Sequence, residues 1–265
     1  MNNSFSLSGI VSGEFYMTCK IKNMKKINFI LFSIAFLTVS FCSCVYATNE
    51  NDRLLEQSRQ VAPFHEIAVS SGIELLMTQG NEHSVVVVAN ESIIDRIKTD
   101  SKNGKLVIGV DNRRRGLFRR SRTGPIKVYV TFARLETLTV SSGAQAKGDD
   151  LIEVTGLYVK ASSGAFCRLN INSNSLNIEA SSGANINIQG NSEVIKGSAS
   201  SGGNISGASM ECREADLSAS SGGNVSFTVI EKVVAKASSG GRVALKGNAT
   251  STSFSSSSGG VITQE

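Results

Sequence analysis

The phrase Ser-Ser-Gly occurs eight times in this chain, with its first serine at positions 70, 141, 162, 181, 200, 220, 238 and 257. From Ser141 onward the steps are 21, 19, 19, 20, 18 and 19 residues. One fixed phrase per period of about 20 residues marks a solenoid, in which each repeat is one coil and buries its apolar face by stacking on its neighbours. No other feature of the sequence narrows the fold so far.

Around each phrase the side chains alternate with period two. Leu176, Ile178, Ala180, Ser182, Ala184, Ile186 and Ile188 share one parity, and Asn177, Glu179, Ser181, Asn185 and Asn187 take the other. The preceding coil keeps the phase through Leu157, Val159, Ala161, Ser163, Ala165, Cys167, Leu169 and Ile171. The isolated first copy keeps it through Ile67, Val69, Ser71, Ile73, Leu75 and Met77. Strict alternation is the signal of half-buried strands.

On this parity the second serine of each triplet faces the core. Ser142, Ser163, Ser182, Ser201, Ser221, Ser239 and Ser258 are therefore expected to form an inward ladder of hydroxyls, each bonded to the coils above and below. The residue after the triplet is Ala144, Ala165, Ala184, Gly203, Gly223, Gly241 or Gly260, small enough for a tight corner. The expected fold is all-β, a single-stranded parallel β-helix with coils of about 19 residues. A composition with 6% aromatics and no tryptophan suits such a thin core. Only residues 91–100 carry a helical signal.

The first 47 residues read as a leader region. Met24-Lys25-Lys26 precedes a long apolar run, and Val45-Tyr46-Ala47 offers small residues where a leader peptidase cuts. Residues 24–47 are thus the expected signal peptide, and residues 1–23 an upstream extension from a misassigned start codon. The competing reading is a lipid anchor on Cys44. The apolar run is broken by polar residues, so no transmembrane helix is expected in the mature chain. Residues 48–62 are polar and are expected to act as a linker. Residues 63–265 form the solenoid, with an irregular first section over 63–140 and regular coils over 141–265.

Export changes the reading of charge. The formal charge is +5, and removing the four lysines and one glutamate before residue 48 leaves +2. Six positive charges lie within ten residues, at Arg113, Arg114, Arg115, Arg119, Arg120 and Arg122. Without them the body is acidic, which argues against a nucleic-acid partner. The arginine run is expected to project as a loop that binds anionic glycans or lipopolysaccharide head groups, with Leu117 and Phe118 at its centre. Its bland alternative is a solvated excursion. Outward asparagines such as Asn170, Asn172, Asn185, Asn187, Asn204 and Asn224 suit either sugars or polar ladders.

Catalytic chemistry finds little support. Neither His65 nor His83 joins a serine in a known motif, and no G-x-S-x-G phrase occurs. Asp149-Asp150 is the only adjacent acidic pair in the repeats, and a turn after Gly148 explains it. The Gly-Gly phrases lack the aspartate and nine-residue period of calcium-binding β-rolls. No catalytic residue, metal site or cofactor is expected. Cys167 and Cys212 differ by two coils and by phase, so they are expected to be free buried thiols rather than a disulfide.

Several segments together resemble a known family. These are Phe64-His65-Glu66-Ile67-Ala68-Val69-Ser70-Ser71-Gly72-Ile73, Gly104-Lys105-Leu106-Val107-Ile108, Pro125-Ile126-Lys127-Val128 and the serial Ser-Ser-Gly-Ala/Gly phrases. In order and spacing they resemble the bacterial exported proteins called putative auto-transporter adhesins, head GIN domain, over residues 63–265. The resemblance implies a right-handed parallel β-helix in the cell envelope, at the cell surface or in the periplasm, and no catalytic residues. The expected function is a non-enzymatic envelope protein that presents a solenoid surface for binding or adhesion. A polysaccharide-active enzyme on the same scaffold and a purely structural envelope component are the alternatives.

Overall fold

The computed structural model describes residues 53–111 and 124–265. Its first section holds β1 (Leu54–Arg59), β2 (Glu66–Val69), β3 (Glu74–Gln79), β4 (Ser84–Asn90), helix α1 (Glu91–Ile94), β5 (Ile97–Lys102), β6 (Lys105–Val110), β7 (Lys127–Phe132) and β8 (Thr137–Val140). Long bent strands follow as β9 (Gln145–Ala161), β10 (Phe166–Ala180), β11 (Asn185–Ala199), β12 (Asn204–Ala219) and β13 (Asn224–Ala237). The chain closes with β14 (Arg242–Lys246), β15 (Ser251–Ser256) and β16 (Val261–Gln264). All sixteen strands belong to one continuous sheet wound as a solenoid.

From β9 to β14 each strand pairs in parallel with its successor, about one period away, and β15 and β16 then pair with β13 and β14. Cys167 lies beside Ile186, Leu176 beside Ile195 and Ala180 beside Ala199. The same register repeated from coil to coil stacks identical positions into files. One file runs Val140, Ala161, Ala180, Ala199, Ala219 and Ala237, each at most 3% exposed. Burying each larger aliphatic side chain in the neighbouring files contributes about 1.5–3 kcal/mol.

Departures from the 19-residue step are absorbed by bulges. The register slips between Leu169 and Asn170, whose partners are Gly148 and Leu151. Asp149 and Asp150 are therefore the two extra residues of the longest step, ejected to the exposed face. A smaller slip between Asn187 and Gln189 takes up the single extra residue of the 20-residue step.

The Ser-Ser-Gly phrases occupy one corner of every coil except that of β6 and β7, but the second serine does not face the core. Ser142, Ser163, Ser182, Ser201, Ser221, Ser239 and Ser258 are exposed and sit at φ between 48 and 54°. The glycine after each is also at positive φ, near 72°. Two successive residues at positive φ, closed by a bond such as Ala184 N–H to Ser181 C=O at 3.1 Å, make a type I′ turn. The expected inward hydroxyl ladder is thus replaced by a ladder of backbone. Gly143 N–H donates to Ser163 C=O at 3.0 Å, Gly164 to Ser182 at 3.1 Å and Gly183 to Ser201 at 3.2 Å. The turn lifts the second serine outward, while the residues on either side of it, Ala161 and Ala165, both point in.

Four later coils carry glycine where earlier ones carry alanine, and their corners close tighter. The turn bond is 3.1–3.2 Å at Ala144, Ala165 and Ala184, and 2.8–2.9 Å at Gly203, Gly223, Gly241 and Gly260. A Cβ at Gly203 would run into the carbonyl of Ala180 in the coil beneath.

The first section departs from simple stacking. β2 and β3, which flank the first Ser-Ser-Gly, pair in parallel with β8 and β9 on one side and with β6 and β7 on the other. The coil made of β6 and β7 is thus the last one at this end. Antiparallel strands cover it, β5 on β6 and β4 on β7, with β1 outermost on β4. Leu54–Arg59 lies inside the segment expected as a linker, yet it is paired strand; its alternation is only half-buried, as suits an edge. The helical expectation for residues 91–100 reduces to the one-turn α1, after which residues 97–102 run as β5.

Candidate binding surface

The corner column is interrupted once among the described coils. Val69 and Glu74 are separated by the turn 70–73, while their register partners Ile108 and Lys127 are separated by residues 109–126. Both rims of this insertion are tied to the coil beneath, through Ser70 N–H to Ile108 C=O at 3.1 Å and Glu74 N–H to Ile126 C=O at 2.9 Å. The run Arg113, Arg114, Arg115, Arg119, Arg120 and Arg122 belongs to this insertion and lies outside the described residues. The leader region, with residues 1–47, lies outside them too.

Elsewhere nine of the seventeen lysines and arginines among the described residues are matched to carboxylates. Lys147 reaches Glu74 at 2.5 Å, with Lys127 at 3.9 Å, and the Lys147 hydrogen bond holds the Glu74 carboxyl below its usual range. Arg213 spans three coils, touching Glu231 at 2.8 Å and Glu193 at 3.2 Å. Lys160 meets Glu179 at 3.1 Å, and Arg168 meets Asp149 at 2.9 Å. A hydrogen bond from Tyr158, then Lys160, holds Glu179 low; Tyr158 itself is pushed up, mainly by burial. Arg134 pairs with Glu136, which also lies 3.8 Å from the His65 imidazole. Exposed pairs of this kind each contribute little to stability.

The sequence places bonded inward hydroxyls at the Ser-Ser-Gly corner, whereas the buried hydroxyl pair lies elsewhere. Ser173 and Ser192, each 6% exposed, place their hydroxyl oxygens 2.9 Å apart at a second corner of the coil. Their file runs Val154, Ser173, Ser192, Cys212 and Val229. The 19-residue step applied to polar residues of inward parity would have found them. His83 packs on Phe64, their ring centres 4.6 Å apart. Cys167 and Cys212 are free and buried, and burial pushes both thiols up to about 12, with Glu211 adding to it at Cys212.

Concave space is scarce. One groove, of about 220 Å³, runs between residues 133–136 and 153–156 and is lined by Arg134, Glu136 and Gln79. The Gln79 amide is already committed, bonding both the N–H and the C=O of Glu153 at 2.8 and 2.9 Å. No group of histidine, cysteine and carboxylate side chains among the described residues could hold a metal ion. No helix among them is long and apolar enough to cross a membrane.

A protein of this kind is a β-solenoid with a covered first coil and a polar exterior. The chain belongs to the family described as putative auto-transporter adhesin, head GIN domain, whose model matches residues 63–249. Solved structures share the fold. A putative adhesin from Bacteroides fragilis matches with a TM-score of 0.72 and 15% identity, over 80% of this chain and 97% of that one. A putative adhesin from Parabacteroides distasonis gives 0.66 and 14%, over 81% and 98%. A protein from the same organism named a putative lipid binding protein gives 0.58 and 15%, over 81% and 98%. No curated protein matches the chain.

Proposed function

We propose that this chain is a non-enzymatic protein of the cell envelope, exported by its leader, that presents a solenoid surface for binding or adhesion. The six arginines of the insertion supply its affinity for anionic glycan or lipopolysaccharide. The observation that carries this reading is the contrast between the insertion and the body. About half of the lysines and arginines among the described residues are paired with carboxylates, whereas six arginines fall within ten residues of the sequence, in the insertion that stands where other coils carry Ser-Ser-Gly. Guanidinium forks match phosphate and carboxylate in pairs, and several together bind a polyanion far better than one. The adhesin names of the family and of its structural neighbours agree with a binding role. The lipid-binding name of another neighbour agrees with a head-group ligand.

The test replaces all six arginines with glutamine and compares binding to immobilised lipopolysaccharide and to an acidic polysaccharide at low and high salt. The parent should bind at low salt and release as the Debye length falls below about 10 Å. The variant should keep its circular dichroism and lose that binding. Equal binding by parent and variant at low salt would reject the arginines as the contact.

A further inference from the structure

The face of the coils that follows the Ser-Ser-Gly corner carries a groove in mid-stack. The register between β9 and β10 slips at Leu169 and Asn170, and that between β11 and β12 slips at Asn187 and Gln189. Leu169 stands beside Ile188, so the two bulges lie at one height, on either side of the regular pair β10 and β11. A groove of about 120 Å³ opens there, lined by Arg168, Asn187, Gln189, Ser206 and Ser209, with buried Leu169 and Ile188 beneath. Bulges beside a recess re-aim the side chains around it.

The lining side chains stand in rows across the coils. Arg168, Asn187 and Ser206 are in register, and Gln189 and Ser209 form the next row. On the corner side the adjoining row is Phe166, Asn185 and Asn204, continued by Asn224. All of these are exposed or half-buried. Amides that served as a structural ladder would bond from coil to coil. Among the described residues the side chains of Asn187, Gln189 and Asn204 make no such bond, and Asn185 donates only to the carbonyl of Gly183 in its own coil, at 3.4 Å.

Chemistry selects the ligand. Arg168 donates through Nε and Nη2 to the two oxygens of Asp149, at 3.0 and 3.2 Å, so its charge is already matched and an anion would have to displace a carboxylate. What the groove offers is carboxamides and hydroxyls, groups that both donate and accept. Neighbouring hydroxyls of a sugar need partners of that kind. Phe166 places an aromatic ring on the same face, and the apolar C–H face of a pyranose packs on such a ring. Asn185, Asn204 and Asn224 recur once per coil, about 4.8 Å apart, so an extended glycan lying along the stack meets a fresh amide at each step.

We infer that this face, centred on Asn187 and Gln189, binds an uncharged polysaccharide, with Phe166 as its stacking platform. The site is distinct from the arginine insertion and does not rest on the anionic contact proposed for it.

The experiment is affinity electrophoresis of residues 49–265, the compact unit that holds every strand among the described residues, in native gels cast with dextran, galactomannan, xyloglucan or mixed-linkage β-glucan. At least one of these should retard the parent, equally at low and high salt. The variant with glutamine at all six insertion arginines should be retarded to the same extent, so failure of the anionic contact would leave this result untouched. The double variant Asn187→Ala, Gln189→Ala should bind at least tenfold more weakly while circular dichroism stays unchanged. Phe166→Leu should weaken binding several-fold, and Phe166→Tyr should retain it. Asn177→Ala, exposed on the other leg of the same coil, should change nothing. No retardation in any gel, equal retardation of parent and double variant, or binding that vanishes with salt or with the arginines would each overturn the inference.

Discussion

The hydroxyl of Ser173 lies 2.9 Å from that of Ser192 in the neighbouring coil, both buried. Ser192 also donates to the carbonyl of Val194 at 3.2 Å, so its single proton is committed and Ser173 must be the donor between the two hydroxyls. The pair is a short directed relay inside an otherwise aliphatic stack.

Removing one member should hurt more than removing both. Ser192→Ala leaves the buried Ser173 hydroxyl without its partner and should cost about 1–3 kcal/mol. Adding Ser173→Ala should cost less than the sum of the single changes, because the orphaned donor is gone. Urea unfolding of the four species in a double-mutant cycle measures this coupling; strictly additive losses would show that the hydroxyls do not depend on each other.

The corner turns separate two roles for glycine. Gly183 is at φ 72° with no atom within 4 Å of where a Cβ would stand. Gly183→Ala should therefore cost about 1–2 kcal/mol through backbone strain alone. Ser182→Gly, at φ 50°, should be neutral to stabilising for the same reason. Gly203→Ala adds a collision with the Ala180 carbonyl and should cost about 1–3 kcal/mol through overpacking. Thermal melts rank them, and a harmless Gly203→Ala would mean that the neighbouring coil yields.

Acid should weaken the first coils through Glu74. Its folded pKa lies below the usual 4.5, so its contribution is complete above that value and is lost as pH falls through the folded pKa. The pair with Lys147 is about a quarter exposed on each side, so solvent screening keeps the effect to about 0.5 kcal/mol. Glu74→Gln should lower the melting temperature slightly at pH 7, and the difference from the parent should shrink as pH falls below 4.5. A constant difference across that range would assign the effect to something other than charge.

The two thiols provide a reporter of opening. With Cys167 and Cys212 pushed up to about 12 by burial, neither should react with a disulfide reagent at pH 8 in the native protein. Both should react once urea unfolds the chain. Their ionisation also sets an alkaline limit, since the raised folded pKa makes stability fall as pH climbs above the ordinary 9.0. Rapid labelling of the folded protein would contradict the burial.

The period of the sequence carried the architecture because every coil must repeat the same height, and one phrase per coil reports that directly. The inward serine was misread for a geometric reason. A two-residue turn between Ala161 and Ala165 preserves parity, so the alternation passes through the corner as if the strand were straight. Serine is also an unusual choice at positive φ, where glycine or asparagine would have announced the turn. Strands β1 and β5 were illegible because edge strands have only one half-buried face, as Leu55, Gln57 and Arg59 show. Ser173 and Ser192 were hidden by their chemistry, since a buried polar pair looks like surface until register aligns it.

The coil that is first in sequence is second in space, held between the later coil of β6 and β7 and the still later one of β8 and β9. Once residue 132 has been made, that seed is already double-layered and covered on its outer side. Every subsequent coil needs only the one just laid down, about 19 residues back, so loops to be closed never lengthen as the chain grows. The molecule can therefore assemble in the direction of synthesis like a thread wound onto a fixed spool. Damage to the seed should stop winding altogether, whereas damage to a late coil should merely shorten the spool.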